Sequence, residues 1–300
     1  MATQMRRSPL AEAREYLGLV RFSHTLFALP FALLGAALAA HGPGGWHGRP
    51  RDWVGILLCM ATARTAAMAF NRLADRRFDA LNPRTASRHL PSGRLSARSV
   101  AIFTAASSLA FVASTLLFLP NPWPIALSVP VLFWLLGYSY AKRFTWGAHA
   151  WLGVALSLAP GGAWLAMGAR PGAGIVLLMA GVVTWLLGFD VLYSLQDEDF
   201  DRSEGLRSIP ARFGKLRALA ISAGAHVVTV LALAACGVAL GRGPAYAIAV
   251  VVAAALLVYE HSLVRRKGLA AIDKAFFDVN AWVSVLFFVL VTVDEVVRRY

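Results

Sequence analysis

The sequence predicts an all-α membrane protein: one polytopic domain over residues 1–300 with nine transmembrane helices. Three observations predict it. The chain is 58% hydrophobic and 15% charged, with a mean hydropathy of +0.60, more apolar than a soluble domain of this length needs. It carries nine mostly apolar runs of the roughly 20 residues that cross a bilayer core. Its basic residues also alternate in density between successive connecting segments, as orientation in a bilayer requires.

The elements follow in order. Residues 1–16 are polar and read as a cytoplasmic N-terminal segment without a secretory-signal pattern. The predicted spans are 17–40, 52–70, 98–118, 122–140, 148–168, 173–195, 217–239, 244–264 and 277–296. HGPGG (41–45), LPNPWP (119–124), GARPGAG (168–174) and GRGP (241–244) separate them, because Gly and Pro interrupt the helical pattern. The N-terminal tail with segments 71–98, 141–147, 196–216 and 262–275 holds 20 Lys and Arg, and the opposite set holds 6. This bias places the N-terminus and the long segments in the cytoplasm and the C-terminus outside, which requires an odd number of spans. The net charge of +13 is spread over these short segments, so the expected partner is a lipid bilayer and not nucleic acid. Cys59 and Cys236 lie in apolar runs and read as buried small side chains. Pro160-Gly161-Gly162 either breaks the fifth span or lets helices pack closely.

Polar chemistry gathers on the predicted cytoplasmic side. In DVLYSLQDEDFDRSEGLRS (190–208), Asp190, Asp197 and Asp201 are spaced i, i+7, i+11, one face of a helix. In NRLADRRFD (71–79), Asn71, Asp75 and Asp79 are spaced i, i+4, i+8, again one face. The two stripes lie about 120 residues apart and predict a repeated architecture. Carboxylates this close repel unless a cation neutralises them. Several carboxylates with an amide oxygen suit Mg²⁺, which completes its shell with water and substrate phosphates. Ionisable residues striped along one face at a membrane boundary mark function, whereas Glu198, Asp199 and Glu204 read as solvated loop charges. Arg72, Arg84 and Arg88 surround the first stripe, Arg207 and Arg212 follow the second, and Lys142 and Arg143 end the fourth span. Acids for a metal beside Arg and Lys for phosphate oxygens predict a diphosphate site. Tyr138, Tyr140 and Tyr193 lie near these charges, where a ring face can stabilise a cation. Arg21 and His24 sit early in the first span, where Arg21 either binds a carboxylate or snorkels to the interface.

At this point the residues resemble a known family. NRLADRRFDALNPRTASRHLPSG and DVLYSLQDEDFDRSEGLRSIPARFG resemble the two aspartate-rich motifs of the UbiA superfamily of intramembrane aromatic prenyltransferases. The nine-span layout agrees over nearly the whole chain. RFSHTLFALPFALLGA (21–36) and RTAAMAFNRLADRRFDALNPRT (64–85) look most like the bacterial branch that includes the prenyltransferase of the futalosine menaquinone route. The 4-hydroxybenzoate polyprenyltransferases of ubiquinone synthesis are close neighbours. Many members begin the first motif Asn-Asp; here it is Asn71-Arg72, which leaves Asp75 and Asp79 as its acids.

The resemblance implies a UbiA-type bundle in the bacterial inner membrane, with a central cavity opening to the cytoplasmic side. It implies Mg²⁺-dependent transfer from a polyprenyl diphosphate to an aromatic acid acceptor, in menaquinone or ubiquinone synthesis. Asn71, Asp75, Asp79, Asp197 and Asp201 would hold the metal. Arg72, Arg88, Lys142 and Arg207 would meet the diphosphate, and Arg21, His24, Asp190 and Tyr193 the acceptor. Asp75, Asp197, Lys142 and Tyr138 would be catalytic, stabilising the departing diphosphate and the allylic cation. The apolar run GVVTWLLGF (181–189) would wall the prenyl groove. A transporter is the main alternative from another class, but it calls for charge near the membrane centre, and here charge gathers at one end. The compact Asp-x-x-Asp-Gly run of a CDP-alcohol phosphotransferase is absent. A haem- or chlorophyll-type transferase of the same family is a further alternative, against which NPRT (82–85) and GLRSIPARFG (205–214) argue.

Overall fold

The computed structural model describes residues 9–20, 25–40 and 48–298, and among them the regular elements are all helices. Helices α1 (Pro9–Val20) and α2 (Thr25–Ala40) hold the described part of the first predicted span. Helix α3 (Pro50–Ala74) stops at Asp75 and gives way at once to the six-residue α4 (Arg76–Leu81). Helix α5 (Ala97–Thr115) begins where the Ser96 hydroxyl oxygen accepts the Ser99 N–H at 3.0 Å, an N-cap. Helices α6 (Trp123–Phe144) and α7 (Ala148–Ala166) each run through an internal proline, Pro130 and Pro160. Helix α8 (Ala173–Ser194) passes through a 3₁₀ turn, Leu195–Asp197, into the six-residue α9 (Glu198–Ser203). Helices α10 (Ile209–Ala239) and α11 (Pro244–Lys267), the short α12 (Ile272–Lys274), a π turn (Ala275–Val279) and α13 (Asn280–Val297) complete the chain.

Among the described residues seven stretches are long and apolar enough to cross a membrane: α3, α5, α6, α8 with α9, α10, α11, and α12 with α13. Two of the nine predicted spans, those of α2 and α7, fall outside this set. Both are enclosed by protein: α2 packs on α7, α13 and α3, and α7 packs on α8, α2 and α6. Both are as apolar as the helices in the set, and the described apolar stretch of α2, Phe27–Ala40, is shorter than a full crossing. Their contact is backbone-close, since a Cβ on Gly35 would stand 2.4 Å from the Pro160 carbonyl oxygen. Pro160-Gly161-Gly162 therefore serves packing, and α7 stays helical through it.

The expected groove wall at 181–189 is corrected. Val182, Trp185, Leu186 and Phe189 are buried in the main core. Trp185 meets Phe189 edge-on at 5.0 Å, and Phe31 of α2 lies 5.2 Å from Trp185. The run is apolar on every side of the helix, and such a helix is packed on every side. The apolar cavity lies instead between α3, α5, α6, α7 and the far end of α8, with a volume of about 390 Å³. Its lining along α6 runs from Pro124 to Tyr138, roughly 21 Å at the helical rise of about 1.5 Å per residue.

Candidate active site

The acid stripes sit on two matched hinges. Asp75 ends α3 and opens α4 with φ −90° and ψ 4°, and Asp197 opens α9 with φ −107° and ψ 9°. Both occupy the narrow bridge region. One turn further on, each short helix carries the next acid, Asp79 or Asp201. The predicted face Asn71-Asp75-Asp79 is kept: backbone N–H bonds of 2.9 and 2.8 Å continue the i→i−4 ladder across the hinge. Asn71 Nδ2 also donates to Asp75 Oδ2 at 2.9 Å. The 3₁₀ turn at 195–197 shifts the predicted face Asp190-Asp197-Asp201 by only part of a turn, and all three acids stay within electrostatic reach of Lys142. Asp190 also meets the ring of His149, Oδ2 to Nδ1, at 2.6 Å.

Each stripe carboxylate has a cation. Arg88 Nη1 is 2.6 Å from Asp79 and Arg143 Nη2 is 3.4 Å from Asp75. Lys142 Nζ is 3.5 Å from Asp201. Asp197 is gripped hardest. Arg84 donates to it in a fork, with Nε at 2.9 Å and Nη2 closer still, and Asn82 Nδ2 adds a bond at 3.0 Å. The local sequence explains how Arg84 arrives. Pro83 forces Asn82 into an extended conformation, φ −85° and ψ 116°. Asn82 Oδ1 then accepts the Arg84 N–H at 3.0 Å, an Asx turn that swings the guanidinium back over α8. Arg84 also donates to the Tyr193 hydroxyl at 3.0 Å and lies 5.3 Å from that ring. The first motif is thereby tied to the second. Lys142 lies within electrostatic reach of Asp201, Asp190, Asp197 and Asp75. Tyr138 lies within reach of Arg72, Asp75, Asp190 and Arg64. These two residues mark where both stripes and Asp190 converge, and Tyr138 also lines the end of the apolar cavity.

Burial, with the negative charge of Asp79 behind it, pushes the Asp75 pKa above the usual carboxylate range, against the pull of Arg143 and Lys142. Burial works against the charge of Arg84, but the Asp197 carboxylate more than offsets it and raises the guanidinium pKa.

The profile described as the UbiA prenyltransferase family matches residues 28–289. The chain belongs to the UbiA prenyltransferase family. It is an integral membrane enzyme, a prenyltransferase. The 4-hydroxybenzoate octaprenyltransferase of Aromatoleum aromaticum is 33% identical over 235 residues, covering 78% of each chain. That of Burkholderia multivorans is 34% identical over 244 residues, covering 80% of this chain and 83% of its own. The apo structure of a UbiA homolog from Aeropyrum pernix K1 is 33% identical with a TM-score of 0.82, covering 92% of this chain and 99% of that one. A UbiA homolog from Archaeoglobus fulgidus bound to GPP and Mg²⁺ shares the fold at 19% identity and a TM-score of 0.70, with coverage of 93% and 99%.

In this UbiA-family chain several predicted residues stand where expected and others do not. Asp75, Asp79, Asp197, Asp201, Asn71, Lys142, Tyr138 and Arg88 come together as described. Arg72 is buried beneath the first stripe, with Nη1 3.5 Å from Asn71 Oδ1. Arg207 is corrected. Its guanidinium donates to the Phe144 carbonyl and its N–H to the Lys142 carbonyl, both at 2.6 Å. It therefore closes the C-terminus of α6, where carbonyls lack helical partners, and does not point at the acids. Tyr193 serves Arg84 and lies tilted against Phe276, with ring centroids 4.2 Å apart. Arg21 and His24 lie outside the described residues. The sequence did not single out Asn82, His149 or Arg64. Arg64 lines the cavity beside Tyr138, and an arginine deep within an apolar span was the available signal.

The residues present fit Mg²⁺. The donor set is carboxylate and amide oxygen, and Asp79 Oδ2 is buried without a hydrogen-bond partner. Among the described residues no three His, Cys, Asp or Glu side chains converge into a cage. The chain thus offers carboxylates singly or in pairs, which suits an ion that takes the rest of its shell from water and phosphate.

Proposed function

We propose that this enzyme transfers a polyprenyl group from polyprenyl diphosphate to the ring of an aromatic acid, of the 4-hydroxybenzoate or dihydroxynaphthoate type, in ubiquinone or menaquinone synthesis. One observation carries the reading: both acid stripes and the end of an apolar cavity meet around Lys142 and Tyr138. The curated relatives named for 4-hydroxybenzoate favour that acceptor.

Asn71, Asp75, Asp79, Asp197 and Asp201 would hold Mg²⁺, as the homolog bound to GPP and Mg²⁺ supports; the ion would neutralise charge on the diphosphate. Lys142 meets the charge that grows on the departing diphosphate. The C–O bond breaks with its electron pair on oxygen, leaving an allylic cation. Tyr138 presents a ring to that cation. A ring carbon of the acceptor bonds the allylic carbon, and the ring then loses a proton. Asp190, beside Lys142 and Tyr138, meets the acceptor, Arg64 beside Tyr138 supplies a cation for its carboxylate, and Arg72 stays with the diphosphate. The tail lies along the cavity beside α6. The reading includes α2 and α7 as full crossings, which makes nine spans. It also sets both stripes on the cytoplasmic face of a bacterial inner membrane, as the Lys and Arg bias supports.

The test is purified protein with Mg²⁺, radiolabelled polyprenyl diphosphate and each acceptor separately. A prenylated ring is expected with one of the two. No product with either, together with solute uptake into liposomes, would sink the enzyme reading.

A further inference from the structure

His149 is fully buried at the start of α7 and is used by none of the steps above. Its two ring nitrogens have different partners. Nε2 accepts the backbone N–H of Ile209 at 3.3 Å. Ile209 is the first residue of α10, where N–H groups have no partner within the helix. A backbone N–H can only donate, so Nε2 carries a lone pair and the ring proton sits on Nδ1. Nδ1 therefore donates to Asp190 Oδ2 at 2.6 Å. The Asp190 side chain keeps 19% exposure while His149 has none. The carboxylate is thus held by a fully buried ring, stays partly exposed, and lies within electrostatic reach of Lys142 and Tyr138.

The same ring fixes where α10 begins. Ser208 caps that helix, with its hydroxyl oxygen accepting the Ala211 N–H at 3.3 Å. The segment just before it carries Asp197 and Asp201. His149 thus joins α7, α8 and the start of α10 at one point, next to the converging charges.

We propose that His149 is a positioning residue: its Nδ1–H tautomer, pinned by the Ile209 N–H, fixes the Asp190 carboxylate toward the acceptor. The proposal rests on the reading of Asp190 as an acceptor-facing group. It assigns His149 no contact with the diphosphate.

The test compares His149→Asn, whose amide nitrogen replaces Nδ1, with His149→Gln, whose amide reaches the Nε2 position. Kinetics use one polyprenyl diphosphate with 4-hydroxybenzoate and with a dihydroxynaphthoate. His149→Gln should raise the acceptor KM by about 10- to 100-fold, by analogy with the outer partners that orient metal-ligating side chains, and leave the prenyl diphosphate KM within about twofold. His149→Asn should restore most of the acceptor affinity. Equal losses in both variants, or a parallel rise in both KM values, would overturn the proposal. Asp190→Asn separates the layers. An unchanged acceptor KM in that variant removes Asp190 from the acceptor site, and the proposal with it. A raised KM there but not in His149→Gln overturns the His149 assignment alone. A ¹⁵N spectrum of the imidazoles in detergent, assigned by loss of a signal in His149→Asn, reads the tautomer without turnover. A protonated Nε2 at His149 would overturn the proposal whatever the acceptor is.

Discussion

Asp75 and Asp197 share a backbone conformation and a place in the chain, each the hinge between a long helix and a six-residue one. Their surroundings differ. Asp75 keeps 29% exposure, one neutral donor in Asn71, and a cation at 3.4 Å. Asp197 keeps 11% exposure and is held by an arginine fork and an amide, both from a loop 113 to 115 positions earlier in the chain. Its neighbour Asp201 keeps only 3%. The repeated pattern builds one hinge twice, and the tertiary partners decide how tightly each acid is held. Asp197 is preorganised by the protein. Asp75 is looser and more responsive to whatever binds, although its stripe partner Asp79 is held at 2.6 Å by Arg88.

The largest effects should come from removing the two hinge acids. Asp75→Ala and Asp197→Ala should each cost about 10²- to 10³-fold in kcat, as for losing one group aimed at transition-state charge. Initial rates at saturating Mg²⁺ would measure this. If either variant keeps most of its activity, that stripe is not part of the metal site and the comparison breaks.

Lys142→Met should follow, with about a 10²-fold loss of kcat and an acceptor KM close to that of the unmodified protein. A change confined to the acceptor KM would move Lys142 from the diphosphate to the ring.

The pH profile sharpens the contrast. Asp75 titrates above the ordinary carboxylate value of about 3.9. The acid limb of kcat/KM should therefore lie above that value. It should shift down with excess Mg²⁺, since binding requires the carboxylate, and up in Arg143→Met, since Arg143 favours the charged form. The stability linkage has the same origin. The folded chain holds this proton more tightly than the unfolded chain, so its contribution to stability falls as pH rises between the two values and is flat above. A limb at the ordinary carboxylate value, indifferent to Mg²⁺, would remove Asp75 from the assignment.

The smallest effects concern stability alone. Arg84→Ala leaves the mostly buried Asp197 with one donor and should cost about 1–3 kcal/mol in detergent unfolding. Arg143→Met, at an exposed pair, should cost less than about 1 kcal/mol. Equal costs would mean that the two stripes are held alike.

Much of this was legible in the sequence. Hydropathy and the Lys and Arg bias locate the membrane helices, because lipid demands apolar length and the bilayer sorts charge. The acids at 71–79 and 197–201 stand out because charge beside an apolar span is costly without a purpose. The Asx turn at Asn82 that brings Arg84 to Asp197 was not singled out, since its partner lies 115 positions away in the chain. His149 carried no readable signal, since one histidine at a helix start has no spacing partner.

The sequence by itself determined an all-helical membrane bundle and two acid stripes beside its apolar helices, because those follow from composition and local spacing. Only the tertiary structure decided which cation serves which acid. It also decided that 181–189 is core and not groove, that Arg207 closes α6, and that Asp190 pairs with His149. Each of these depends on contacts between residues tens of positions apart, which local spacing does not encode.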